Sequence, residues 1–173
     1  MNNQKLNYIL ILGLISLGIL SRFLPHPANF TPIAAIALFV GAKLNSKIAP
    51  FVSLAIIIIS DLFIGLHDVI IFTWGSFLIT SLIGIYIRHK KGIFPIIGGA
   101  LLSSILFFVI TNFGVWMVGK WYEPNLSGLI KCYTLALPFF RNTLLSDLLY
   151  TGIFFGIYEF ALFLNKKILY HKI

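Results

Sequence analysis

Long apolar runs separated by short polar clusters organise this chain. Six can be drawn, at about Leu6–Leu24, Asn29–Ala42, Ile48–Leu66, Val69–Ile87, Ile93–Gly114 and Thr143–Leu164. They do not alternate polar with apolar residues, and they exceed the ~10-residue strands of a membrane barrel. About 20 apolar residues in a helix cross a bilayer, so the pattern predicts an all-α integral membrane protein with six transmembrane helices in one bundle. The separators are "PHP" at 25–27, "KLNSK" at 43–47, "GLHD" at 65–68 and "RHKKG" at 88–92. A longer connection, residues 115–142, carries Leu126, Leu129, Ile130, Tyr133 and Leu137 at helical spacing behind Asn125. It predicts an interfacial helix over 126–137, lying either over the mouth of the bundle or as a connector on lipid.

The second run is short. Its 14 residues reach ~21 Å at ~1.5 Å each, against a hydrocarbon core of ~30 Å. Charge decides between a full span and a re-entrant loop. With six spans and an inner N-terminus, the inner face holds Lys5, Lys43, Lys47, Arg88, Lys90, Lys91, Lys166, Lys167 and Lys172. The outer face keeps Arg22, Lys120, Lys131 and Arg141. That distribution obeys the positive-inside rule, whereas a re-entrant second segment would move "RHKKG" outside. The expectation is one domain over residues 1–173 with both termini cytoplasmic. The opening "MNNQKLNYILILGLISLGIL" is followed by no A-x-A-like site and reads as a retained first helix.

Composition agrees. Of 173 residues, 59% are hydrophobic and 10% charged, whereas soluble domains are about 25% charged. The net charge of +8 belongs to orienting loops rather than to a nucleic-acid surface. Cys132 is the only cysteine, which removes internal disulfides and CxxC motifs. No GxxxxGK[ST], GxSxG or HExxH motif occurs, so nothing points to ATP hydrolysis, another enzymatic activity, a metal or a cofactor.

The scarce polar residues gather at one level. Of five acidic residues, Asp61, Asp68, Glu123 and Asp147 fall at or near the predicted outer side, and Glu159 falls in the inner half, where a neighbouring helix is expected to partner it. Arg22, His26, Asn29, His67, Trp74, Asn112, Arg141 and Asn142 share the outer level. An acid within a span costs roughly 2.5–3.5 kcal/mol on insertion scales, so it faces the bundle interior and has a partner. Asp61, near a helix C-terminus, needs a cation more urgently than Asp147, near an N-terminus. Two readings follow. Asp61 and Asp147 pair with Arg22 and Arg141 to knit helix ends, or these residues line an outward pocket for a polar small molecule. Asn142 is expected to cap the last span, and Trp74 to supply an apolar or stacking wall.

The stretches "RFLPHPANFTPIAAIALFVGA", "SDLFIGLHD", "TNFGVW" and "ALPFFRNTLLSDLLYTGIFFG" resemble an uncharacterised family of small bacterial membrane proteins. That family is similar to the substrate-binding (S) components of energy-coupling factor (ECF) vitamin transporters. The resemblance implies a multi-pass protein of the bacterial inner (cytoplasmic) membrane, with a pocket near the outer face. It further implies a vitamin-like substrate, an ECF coupling membrane subunit and two ATPases. The AxxxA docking pattern common on the first helix of S components is absent here, where Gly13, Ser16 and Gly18 stand; Ala37 and Gly41 form a small-xxx-small pair on the second. A solitary transporter, a proton-coupled carrier using Asp61 or Asp147, and a structural or assembly membrane protein remain as alternatives.

Overall fold

The computed structural model describes residues 3–170, so Lys172 of the charge argument lies outside the described residues. Six helices follow one another: α1 (Asn3–Arg22), α2 (Ile33–Lys43), α3 (Ala49–Ile64), α4 (Ile70–Ile87), α5 (Phe94–Val118) and α6 (Leu126–Tyr170). No strand occurs among the described residues. Four of the helices, α1, α4, α5 and α6, are long and apolar enough to cross a membrane, while α2 and α3 are shorter.

Two expectations are corrected. The second apolar run is helical only from Ile33. Pro25, Pro27 and Pro32 precede it, and proline both lacks an N–H and pushes its predecessor toward extended backbone. Asn29 turns the chain instead, at φ 60°, a left-handed conformation that asparagine tolerates. The separate interfacial helix over 126–137 is not separate. It runs without a break through Pro138 into the last predicted span. An internal proline removes one backbone hydrogen bond, a loss that membrane helices tolerate where neighbouring groups compensate. Asn142 therefore caps nothing: its Nδ2 donates to Ala28 O at 3.0 Å and ties the turn before α2 to α6. Asn125 does cap, its Oδ1 accepting from the Gly128 N–H at 2.8 Å.

The core is built around α2, whose residues Ile33 to Ala42 are all buried. One face carries small residues. A Cβ placed on Gly41 would lie 2.9 Å from Gly84 Cα, and one on Gly84 would lie 2.9 Å from Gly41 Cα. The backbones of α2 and α4 thus approach as closely as only glycine allows, the packing that substitutes for hydrophobic drive where the solvent is itself apolar. The other face presents Phe39 to Phe154, Phe155 and Tyr158 of α6, at ring-centroid distances of 6.0, 5.3 and 5.6 Å.

The helices alternate in direction. At the end where α2 and α4 finish, Arg88 donates to Gly41 O at 2.7 Å and to Leu44 O, satisfying carbonyls that a helix C-terminus leaves open. Lys43 Nζ meets Glu159 Oε1 at 2.6 Å and lies 4.5 Å from the Tyr158 ring centroid, so Glu159 has the neighbouring-helix partner expected of it. Outward faces are largely apolar, as at Leu17, Ile71 and Phe94; so much exposed hydrocarbon suits a lipid solvent and not water.

Candidate functional site

At the opposite end, where α1, α3 and α5 finish and α2, α4 and α6 begin, the bundle encloses a cavity of about 810 Å³. Its origin is the shortness of α2. Eleven residues span only ~16 Å, and Ile33 and Ala34 at its N-terminus line the cavity. Above them no helix continues along the axis.

Two helices supply the largest shares of the wall. Phe107, Phe108, Thr111, Asn112 and Val115 of α5 line it, as do Cys132, Leu135, Ala136, Phe139, Phe140, Thr143 and Asp147 of α6. Both sets recur every three to four residues, one face of a helix each. Thr73 and Phe77 of α4 and Phe63 and Ile64 of α3 complete the wall, and the exposed His26, Asn29 and His67 stand at its rim. The aromatics touch each other: Phe108 lies 4.7 Å from Phe140 and 5.5 Å from Tyr133, and Phe77 lies 5.3 Å from Phe107, between ring centroids.

The two intramembrane-level aspartates part company. Asp61, 1% exposed, receives Arg22 Nη2 on Oδ1 at 2.6 Å and Trp74 Nε1 on Oδ2 at 2.8 Å. Arg22 also donates to Ser60 Oγ. A single aspartate thus links α1, α3 and α4. Gly65, at φ 121°, ends α3 one turn beyond it, in backbone space open essentially to glycine. Asp147, 2% exposed, forms no ion pair among the described residues. Its Oδ2 accepts from Ser104 Oγ of α5 at 2.6 Å, and it belongs to the cavity wall.

Ten residues were singled out from the sequence. Arg22, His26, Asn29, His67, Asn112 and Asp147 border the cavity. Asp61, Trp74, Arg141 and Asn142 do not: Asp61 and Trp74 are bonded to each other behind the wall, Arg141 is exposed, and Asn142 holds the turn before α2. Arg22 pairs with Asp61 as the knitting alternative requires, whereas Asp147 pairs with Ser104 and not with Arg141. The aromatic wall escaped the sequence reading, although Ser104, Phe107, Phe108, Thr111, Asn112 and Val115 carry a helical spacing that extends the polar level downwards. Among the described residues no three His, Cys, Asp or Glu side chains come together to hold a metal ion.

Residues 2–169 match the Family of unknown function (DUF6580), and the chain belongs to that family. No curated protein and no solved structure matches it.

The Arg22–Asp61 pair generates a stability prediction. Asp61→Ala strands a largely buried guanidinium and is expected to cost about 3–5 kcal/mol. The Arg22→Ala/Asp61→Ala double variant is expected to lose less than the sum of the two single changes. Denaturation of the four proteins in detergent, read as a double-mutant cycle, checks this; additive losses would contradict the coupling.

Proposed function

We propose that this chain is the membrane-embedded binding subunit of an uptake system for a vitamin-like small molecule, of the ECF S-component type. The observation that carries the reading is the cavity. Its ~810 Å³ lies within the ~300–1,000 Å³ usual for small-molecule sites, and its aromatic lining with few polar groups has the usual composition of one. On this reading all six helices form the membrane bundle in a bacterial cytoplasmic membrane, with α2 completing its crossing through the extended residues before it. Both termini are cytoplasmic and the cavity faces outward. The charge distribution supports this orientation: Lys43, Lys47, Arg88, Lys90 and Lys91 lie at the end away from the cavity. Energy for uptake would come from partners, an ECF coupling subunit and its ATPases, because the chain carries no phosphate loop.

One observation favours a second role for part of the polar level. Asp61 has both oxygens occupied by Arg22 and Trp74, so that cluster joins helix ends, as a structural or assembly protein would require. The carrier alternative rests on Asp147, the buried carboxylate on the cavity wall.

Two experiments test the reading. Mass spectrometry of protein purified without added ligand is expected to reveal a reproducible small metabolite. Ala136→Trp, which places an indole in the cavity, is expected to lose that metabolite while keeping wild-type helicity. No metabolite, or one retained by Ala136→Trp, would sink the proposal. For orientation, Lys90→Cys in a Cys132→Ser background is expected to react with a membrane-impermeant thiol reagent only after the cells are opened; labelling of intact cells would reverse the topology.

A further inference from the structure

The cavity has a polarity of its own, set by what its wall has left to offer. The wall includes one arginine and one aspartate, Arg22 and Asp147. The guanidinium of Arg22 is already matched by Asp61 at 2.6 Å and shared with Ser60, so that pair presents no net charge. Asp147 has no such match: its partner is a neutral hydroxyl, that of Ser104.

Several hydrogen-bond donors on the wall are already engaged. The hydroxyls of Thr73, Thr111 and Thr143 donate back to their own helices, at Val69 O, Phe107 O and Phe139 O, over 3.3, 2.7 and 3.1 Å. Asn112 Nδ2 donates to Phe108 O at 2.8 Å. What those groups leave to the inner part of the cavity is mainly acceptor capacity: hydroxyl lone pairs, the amide oxygen of Asn112 beside its second N–H, and a carboxylate, which is acceptor-only when ionised; further donors, on His26, Asn29 and His67, stand at the rim. A carboxylate or phosphate bound at the depth of Asp147 would meet a group of its own kind. Aromatic ring faces carry negative quadrupole potential and attract cations, and Phe77, Phe107, Phe108 and Phe140 belong to the same wall.

Depth orders these groups. Asp147 lies seven residues beyond Phe140 on α6, close to two turns, so both project from one side of the helix with the carboxylate ~10 Å deeper. Cys132 Sγ, near the start of α6, meets Asn112 O close to the end of α5, while Asp147 meets Ser104 further down, so the acid sits at the floor.

We infer that the ligand is a small organic cation, a protonated amine or amidinium on an apolar, preferably aromatic, body. The inference rests on the small-molecule reading above and names the ligand class. The cationic head sits against Asp147 at the floor, donating to a carboxylate whose one partner is the Ser104 hydroxyl. The body lies alongside Phe108 and Phe140, and the rim closes over its outer end.

The test holds the body constant and changes the head. Purified full-length protein is titrated with 2-phenylethylamine, 2-phenylethanol and 3-phenylpropanoate, and binding is read by calorimetry. The amine is expected to bind at least tenfold more tightly than the other two. In Asp147→Asn, which keeps the shape and the contact with Ser104, that preference is expected to fall below threefold through weaker binding of the amine. An alcohol or carboxylate bound as well as the amine would overturn the cation assignment and leave a small-molecule cavity standing. An amine preference that survives in Asp147→Asn would equally overturn the role of Asp147. Should Asp147→Asn not fold, the wild-type order of the three probes decides alone. If none of the three binds to protein that yields a co-purified metabolite, the ligand class is wrong; if none binds and no metabolite is found, the reading beneath it falls too.

Discussion

A central helix too short to fill its own bundle is the constraint from which the rest of the structure follows. The eleven residues of α2, buried from Ile33 to Ala42, occupy about half the ~30 Å depth of a hydrocarbon core. Its neighbours are longer and must close around it. They do so on α4 through the Gly41–Gly84 approach and on α6 through the Phe39 cluster. Where α2 stops, the surrounding helices still stand, and the space between them is the cavity. Shortness, tight packing and the cavity are therefore one feature seen at three levels. The three prolines that delay the start of α2 act, by this route, on the volume of the site.

The second organising fact is how an apolar bundle disposes of its acids. A carboxylate withdrawn from water must be matched by donors or cations. Asp61 is matched completely, by an arginine and an indole from two other helices, and so serves to fasten α1 and α4 to the end of α3. Asp147 is matched by one hydroxyl and stands on the cavity wall. The same residue type, at similar depth, is structural in one place and available in the other. The difference lies in neighbours, not in burial, since both side chains are almost fully enclosed.

Much of this was legible in the sequence, and the failures have physical causes. Apolar periodicity located all six helices, and the scarcity of polar residues made their gathering at one end visible. The Arg22–Asp61 pair was one of two readings that the need to match an acid at a helix C-terminus left open, the other placing both residues on the pocket wall. The continuity of α6 did not follow, because Pro138 and the polar "RN" at 141–142 look like punctuation. Pro138 is carried inside the helix, and the amide of Asn142 serves a distant turn. Trp74 was read as a wall, yet its N–H was the donor that Asp61 still needed. The aromatic lining was invisible for a simple reason: in a chain with 17 phenylalanines, composition does not distinguish a ring that faces lipid from one that faces a cavity.

The central claim is that the void above α2 is a binding space rather than loosely packed interior. An experimental structure of the protein in lipid nanodiscs, prepared without added ligand, tests it most directly. The account predicts that α2 begins at Ile33 and that non-protein density lies between the Phe108–Phe140 pair and Asp147. A structure in which α2 continues upward through Asn29, or in which wall side chains fill the space and leave no room for a small molecule, would contradict it.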